Sequence, residues 1–564
     1  MQRTVRLRPW QKAALEQFRA SEAEDFLAVA TPGAGKTTFA LTAAALDLAE
    51  HPGRRLVIVA PTQHLKIQWA AAADKFGLHL EPDWSPRYGA LPTDVHGIVT
   101  TYQQVSQQAY PLAGMSTGSF VVLDEIHHAA DDRAWGDGVR IAFAPAARRL
   151  ALSGTPFRSD DTPIPFVRYD WGQAHPDYEY GYGDALADGG VVRPVWFPRI
   201  DGHMEWVAPD GEQFAHGFDD PLDRARSNQR LRAALSIEGD WLPAVLDQAH
   251  AHLLGLRARQ PDAGGLVIAI DHDHARGIVE LLRRRHNVNA TLVLSDDPGA
   301  SKRIEHFAAG NQPWLVAVRM VSEGVDIPRL RVGVFATNTT TELFFRQAVG
   351  RLVRWRGASR RMQKAVMFIP DDSRLRTWAA HIAVQRRHLL TKERTATDDL
   401  DADATAFDER PESGDDQAEQ LSLFQVLSAT VVGDAEQPEW LDGDDEDDDL
   451  DDTAEAEADA DDGLVIALRP LTVDRPAAAP RDPALGADWP DLTPRQRRDR
   501  LREANADRVL ELVQMTGRGH REVNGELNRR SSVGKVSEAT VDQLHRRLTE
   551  ADRWLDGLVG RRTG

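Results

Sequence analysis

The sequence predicts an α/β protein: two tandem parallel-sheet domains, then an acidic disordered linker and a small helical C-terminal domain. Three observations carry this. Short apolar runs (residues 26–30, 56–60, 120–123) alternate with helical stretches, the pattern of a parallel sheet covered on both faces. The alternation stops near residue 159 and resumes near 241, which gives two units. Residues 398–462 hold 27 Asp+Glu and a single basic residue, Arg410, so this stretch is expected not to collapse into a core. The expected divisions are 1–200, a connector at 201–243, a second sheet domain at 244–395, the linker at 396–485 and the helical domain at 486–564.

Composition narrows the function. At 564 residues the chain has room for large cores. It has no cysteine, which excludes disulfides, thiolate-bound zinc and iron–sulfur clusters. There is no apolar run of membrane-spanning length, and residues 1–6 lack the apolar core of a signal peptide. The expectation is a cytoplasmic protein with no membrane partner. The acidic block accounts for −26 of a net −20, leaving the remainder at +6, a mildly basic body that permits nucleic-acid binding without demanding it.

Pro9 suits the first turn of a helix running to about Arg19. The 26–30 strand turns through Thr31-Pro32-Gly33-Ala34-Gly35-Lys36-Thr37 into a helix continuing from Thr38. Strand, glycine-rich loop and helix in this order form a phosphate cradle: the glycines let the backbone wrap an anion, and the new helix aims its free N–H groups at it. Lys36 is then placed for the β- and γ-phosphates and the Thr37 hydroxyl for Mg²⁺. Only eight of the 67 basic residues are lysines, so a lysine here fits a need for a compact ammonium.

Further strands are expected at 56–60, 97–100, 120–123 and 149–152. Each ends in polar residues: Pro61-Thr62, Thr101, Asp124-Glu125-Ile126-His127 and Ser153-Gly154-Thr155. Ligands bind at such carboxyl ends. Asp124 is assigned to Mg²⁺, and Glu125 to orienting or deprotonating the attacking water. Residues 159–243 are irregular, with a strand expected over 191–200, and their aromatics (Tyr178, Tyr180, Tyr182, Trp196, Trp206) read as packing rather than base stacking. The second domain shows strands at 266–270, 291–294, 314–318 and 332–336. His272 and His274 read as solvated loop residues. A helix carrying Gln347 is expected to continue through Arg351 and Arg354, which at this spacing share a face and would turn toward a nucleotide across a cleft.

These motifs, in this order over about residues 1–390, resemble the superfamily 2 DEAD/DEAH-like helicases and translocases, whose two domains are RecA-like. The DEIH form of the acid motif and the stretch Ser153-Gly154-Thr155-Pro156-Phe157-Arg158 resemble the restriction-subunit and DNA-repair translocase branch. The resemblance implies an ATP-dependent, Mg²⁺-requiring DNA helicase or translocase. It implies Arg8 and Gln11 at adenine; Gly33, Gly35, Lys36, Thr37 and Thr38 at the phosphates; Gly324 and Asp326 near the ribose. It implies Thr62, Thr101 and Thr155 beside the nucleic acid, with His127 and Gln347 linking the two sites. Arg351 and Arg354 would act as arginine fingers. An RNA helicase of the same fold, or a nucleic-acid-stimulated ATPase that remodels a restriction, defence or repair complex, are the alternatives.

Within the linker, Gln420-Leu421-Ser422-Leu423-Phe424 resembles the peptide by which bacterial replication and repair proteins bind the sliding clamp; the alternative is an apolar patch docked on its own body. In the last domain, 16 basic face 12 acidic residues over 491–562. Arg495, Arg497, Arg498 and Arg500 crowd its start, where contact with DNA and docking on protein are both open.

Overall fold

The structure is a computed structural model. It describes residues 3–86, 90–130, 133–154, 163–170, 173–208, 211–294, 297, 299–318, 327–355, 363–394, 425–431, 465–468, 489, 492 and 494–562. The first sheet runs, edge to edge, through Tyr178–Tyr180, Asp25–Ala30, Arg148–Ser153, Phe120–Leu123, Leu56–Ala60, Gly97–Thr101 and Leu80–Glu81. All its pairings are parallel. The five central strands are those the apolar runs predict. The two edge strands are short, and their pairing is set by tertiary context.

The second sheet runs Val195–Trp196, Ala365–Pro370, Leu330–Ala336, Gly264–Ala269, Trp314–Val318 and Thr291–Val293, again all parallel, with Arg199–Ile200 also on Ala365–Pro370. The strand expected over 191–200 therefore exists in two pieces but belongs to the second sheet. The boundary expected at residue 200 does not coincide with this change of sheet. Buried side chains form one apolar cluster that includes Phe39, Ile58, Tyr180, Leu266, Val349 and Met367, so the core is continuous from one sheet domain to the other.

The connector is structured. Gly202–Val207 and Gln213–Gly217 form a hairpin, and Trp206 is fully buried in the second domain's core. The aromatics named above pack: Tyr180, Tyr182, Trp196 and Trp206 are all buried. Two segments of the acidic linker correct the expectation of uniform disorder. Gln425–Val431 pairs antiparallel with Gly202–Val207, and Val465–Leu468 pairs antiparallel with Arg3–Arg6. Both are apolar islands with β-branched residues, suited to a strand ladder.

The C-terminal helices Pro494–Thr516, His520–Ser531 and Val541–Arg562 pack on one another. Arg498, 1% exposed, lies 3.5 Å from both Glu81 and Asp94. Arg495 pairs with Asp83 at 3.4 Å, and the Val541 N–H donates to Asp94 at 3.0 Å. Part of the basic cluster thus docks on the edge of the chain's own first sheet.

Candidate functional site

Five strands of the first sheet end on the same side, and their ends carry the chemistry. After Asp25–Ala30 the loop turns through Gly33 (φ +88°) and Gly35 (φ +96°) into the helix Lys36–Glu50, with Gly35 as N-cap. Both angles are left-handed, where a side chain is strained. The loop is braced from the N-terminal helix. Arg8 donates to the carbonyls of Gly33 and Ala34 at 3.2 and 2.9 Å, the Trp10 indole N–H to Ala34 at 3.0 Å, and Gln11 to Gly35 at 2.9 Å. Trp10 stacks on Tyr180, with centroids 5.1 Å apart. This bracing fixes the loop backbone from the carbonyl side, and within the loop the Ala34 N–H donates to the Thr31 carbonyl at 3.1 Å.

Lys36 Nζ lies 2.8 Å from Glu125 Oε1, and the Gly154 N–H donates to Glu125 Oε2 at 2.9 Å. Glu125 itself has φ +47°, a strained conformation for a glutamate that the surrounding contacts must hold. Asp124 accepts from the Trp69 indole N–H at 2.7 Å, and its backbone carbonyl accepts from the Tyr102 hydroxyl at 2.9 Å. Burial pushes the Asp124 carboxyl up, and the charge of Glu125 beside it adds to this. Burial acts the same way on Glu125, but the Lys36 ammonium, His127 and the Gly154 N–H outweigh it and hold that carboxyl below its usual range. Glu125 is therefore the stronger acid of the pair.

His127 joins the two sheet domains. Its Nε2 lies 3.2 Å from Gln347 Nε2, and its Nδ1 lies 3.4 Å from Ser153 Oγ and 3.7 Å from Glu125. An Nε2 that accepts from the Gln347 amide puts the ring proton on Nδ1, facing Ser153 and Glu125. A second crossing runs through Arg354. A Cβ built on Gly33 would come within 3.2 Å of Arg354 Cδ and 3.4 Å of its Nη1, so this guanidinium lies against the phosphate loop.

The helix expected under Arg351 and Arg354 is corrected. The helix Glu342–Val349 carries Gln347 and ends at Gly350, its C-cap; Arg351 follows in a turn, and Arg354 forms an antiparallel bridge with Val192. Arg354 reaches the site from irregular backbone. Thr62 and Thr101 sit at strand ends as expected, where each caps the next helix, accepting from the N–H of Leu65 and Gln104 at 3.3 Å. Thr37 and Thr38 lie in the first turn of the loop helix, Thr37 exposed. His274 is on the helix His272–His286 rather than in a loop, its Nε2 2.8 Å from the Leu235 carbonyl. Thr155, Gly324, Asp326 and Gln420, Leu421, Ser422, Leu423 and Phe424 lie outside the described residues.

The contacts of Trp69 and Tyr102 with Asp124 escape sequence reasoning. Trp69 sits on an amphipathic helix face, and nothing local says that its N–H meets Asp124. The donor set as a whole fits a magnesium-bound nucleoside triphosphate: helix N–H groups and an ammonium for phosphate, a hydroxyl and a carboxylate for a hard cation.

Residues 4–158 match the family model of the Type III restriction enzyme, res subunit. The chain is 44% identical over 456 residues to the uncharacterized protein Rv2917 of Mycobacterium tuberculosis, covering 77% of this chain and 75% of that protein. It is 40% identical over 570 residues to ML1624 of Mycobacterium leprae, covering 96% and 93%. Among solved structures, a putative HsdR subunit of a type I restriction enzyme from Vibrio vulnificus aligns at 18% identity and TM-score 0.46, over 66% of this chain. The alignment spans 65% of that fragment chain, less than two thirds of it. RNA-bound Dbp5 of S. cerevisiae aligns at 13% identity and TM-score 0.41, over 67% of this chain and 87% of that one. The chain belongs to the family of these mycobacterial proteins, and it is a superfamily 2 helicase-like protein with two RecA-like domains.

Proposed function

We propose that the chain is a DNA-stimulated ATPase that moves along DNA or separates its strands. The observation that carries this is Arg354 of the second domain lying against Gly33 of the phosphate loop. A cation held across a cleft from a phosphate site is placed to act on charge that develops during phosphoryl transfer, so hydrolysis becomes coupled to domain closure. Lys36 neutralises the β- and γ-phosphates. Thr37 and Asp124 hold Mg²⁺, which supplies charge neutralisation on the phosphate oxygens. Glu125, kept ionised, orients the attacking water. Arg8 and Gln11 extend from the loop carbonyls to adenine, and Gly324 and Asp326 serve the ribose. Gln347 and His127 report nucleotide state to the DNA path past Thr62, Thr101 and Thr155. Binding there is directed at phosphate and indifferent to sequence.

DNA is preferred over RNA because the family match on residues 4–158 is to a restriction-enzyme subunit. Recruitment to a sliding clamp through residues 420–424 belongs to the same reading. A peptide of residues 418–427 binds clamp in it, and no binding at high micromolar concentration in low salt removes that part. The main test is ATP hydrolysis with single-stranded, duplex and forked DNA and with RNA. Stimulation by DNA, with strand displacement or movement, is the expected result. Stimulation by RNA alone makes the chain an RNA helicase, and stimulation without movement makes it a remodelling subunit. No stimulation by any of them overturns the reading.

A further inference from the structure

The chain first passes between the domains over residues 181–195. It leaves the first sheet at Tyr180 and forms the helix Tyr182–Ala187. It then turns through Gly189 (φ +63°) and Gly190 (φ +64°), both in open space, and joins the second sheet at Val195. Two successive left-handed glycines with nothing against them make a joint that bends at little cost. Directly after the joint stands Arg193, 0% exposed.

The contacts of Arg193 tie three pieces together. Its guanidinium donates to the carbonyls of Pro328 at 2.7 Å and Leu330 at 3.0 Å, the latter opening the strand Leu330–Ala336. Its backbone N–H donates to the Val353 carbonyl at 2.8 Å, and the preceding Val192 bridges Arg354. The Tyr182 hydroxyl donates to the Arg193 carbonyl at 3.1 Å and accepts from the Val195 N–H at 3.0 Å. A line of hydrogen bonds therefore runs from the rigid second sheet, through the Arg193 fork, to the backbone that carries Arg354.

We infer that Arg193 is a positioning residue for phosphoryl transfer: it fixes the end of the joint so that closure delivers Arg354 to the phosphate loop. The inference rests on the hydrolysis reading above. A planar fork spans two carbonyls at once, which a single ammonium does not reproduce. Arg193 touches no phosphate in this role and acts through Arg354.

The test is a double-mutant cycle on the full chain in single-turnover hydrolysis, with nucleotide binding and melting measured alongside. Arg193→Met lowers the hydrolysis rate about tenfold or more while nucleotide affinity stays within about threefold. In the Arg354→Ala background the same substitution costs less than about twofold, because the residue it positions is already gone. Arg193→Lys recovers part of the rate. Where Arg193→Met does not fold, Tyr182→Phe is carried through the same cycle, with a smaller loss that again vanishes beside Arg354→Ala. Equal fractional losses in both backgrounds, or lost nucleotide binding at an unchanged rate, overturn the inference. A wild-type chain no faster than Lys36→Ala overturns the hydrolysis reading and this inference with it. Normal wild-type turnover with an additive cycle overturns the inference alone.

Discussion

Glu125→Gln separates chemistry from scaffolding at the centre of the site. The carboxylate bonds two donors at once, Lys36 Nζ at 2.8 Å and the Gly154 N–H at 2.9 Å. Glutamine keeps one acceptor and turns an N–H₂ toward the other donor. The ion pair is lost and one donor is left unsatisfied, a cost of about 1–3 kcal/mol. The φ of +47° is equally strained for both residues, so the backbone term cancels. A loss of that size lowers the melting temperature by a few degrees in a chain this large and leaves the protein folded at the assay temperature. Loss of the group that orients or deprotonates water costs about 10²–10⁴ in rate. The two effects read out separately: single-turnover hydrolysis falls by that factor, while a fluorescent ATP analogue still binds and stabilises the closed form. Lys36→Ala differs in kind. It removes a charge-assisted bond to phosphate worth about 1.5–3 kcal/mol, so nucleotide affinity falls roughly 10- to 150-fold together with turnover. Hydrolysis by Glu125→Gln within about threefold of the wild type would refute the assignment of this acid.

Arg354→Ala is expected to slow hydrolysis by about 10³ with nucleotide affinity changed less than about tenfold, since a finger acts on the transition state; a lower melting point with unchanged single-turnover rate assigns the residue to structure instead. Arg498→Ala leaves Glu81 and Asp94 without the buried guanidinium 3.5 Å from each, at a cost of about 3–5 kcal/mol to docking. Hydrogen exchange then rises along the first sheet's edge strand Leu80–Glu81 while ATP turnover persists, and unchanged exchange removes the docking role. His96 is held neutral to about pH 3 by burial, with His79 and Arg55 adding repulsion. In the unfolded chain it takes a proton near pH 6.5, so the unfolded state binds more protons between these values. The contribution is flat above pH 7 and falls as pH drops below 6.5, by about 1.4 kcal/mol per unit. His96→Asn flattens that slope in denaturant titrations at pH 7 and 5.5, and an unchanged slope refutes the source.

The phosphate loop and the acid pair were legible because their grammar is local. A buried strand, two glycines at left-handed positions and a helix start fix where Lys36 points, and a strand end fixes Asp124 and Glu125. Trp69 and Tyr102 were not legible. Each follows a different strand end, at Ala60 and at Thr101, and only the tertiary arrangement makes their side chains donors to Asp124. Arg351 and Arg354 were read as helical from their spacing, but Gly350 ends the helix and the chain buys its geometry from pairing with Val192 instead. Arg354 reaches the phosphate loop at Gly33 all the same, because where a guanidinium lies does not depend on its backbone being helical.

The same contrast accounts for the linker. Its composition was averaged over some 90 residues, and averaging hides short islands. Residues 425–431 are Gln-Val-Leu-Ser-Ala-Thr-Val and residues 465–468 are Val-Ile-Ala-Leu, both free of charge and rich in strand formers. Neither has a partner nearby in sequence. One finds its edge at Gly202–Val207, where Ala429 is buried and its carbonyl accepts from the Asp240 N–H at 2.9 Å. The other finds its edge at Arg3–Arg6, and Ile466 packs against the same core as Val5. Charge density argues that a run of acids does not form a core by itself. It says nothing about an uncharged island whose ladder partner lies more than two hundred residues away, because the free energy of that strand is supplied by an edge that only the folded domains create.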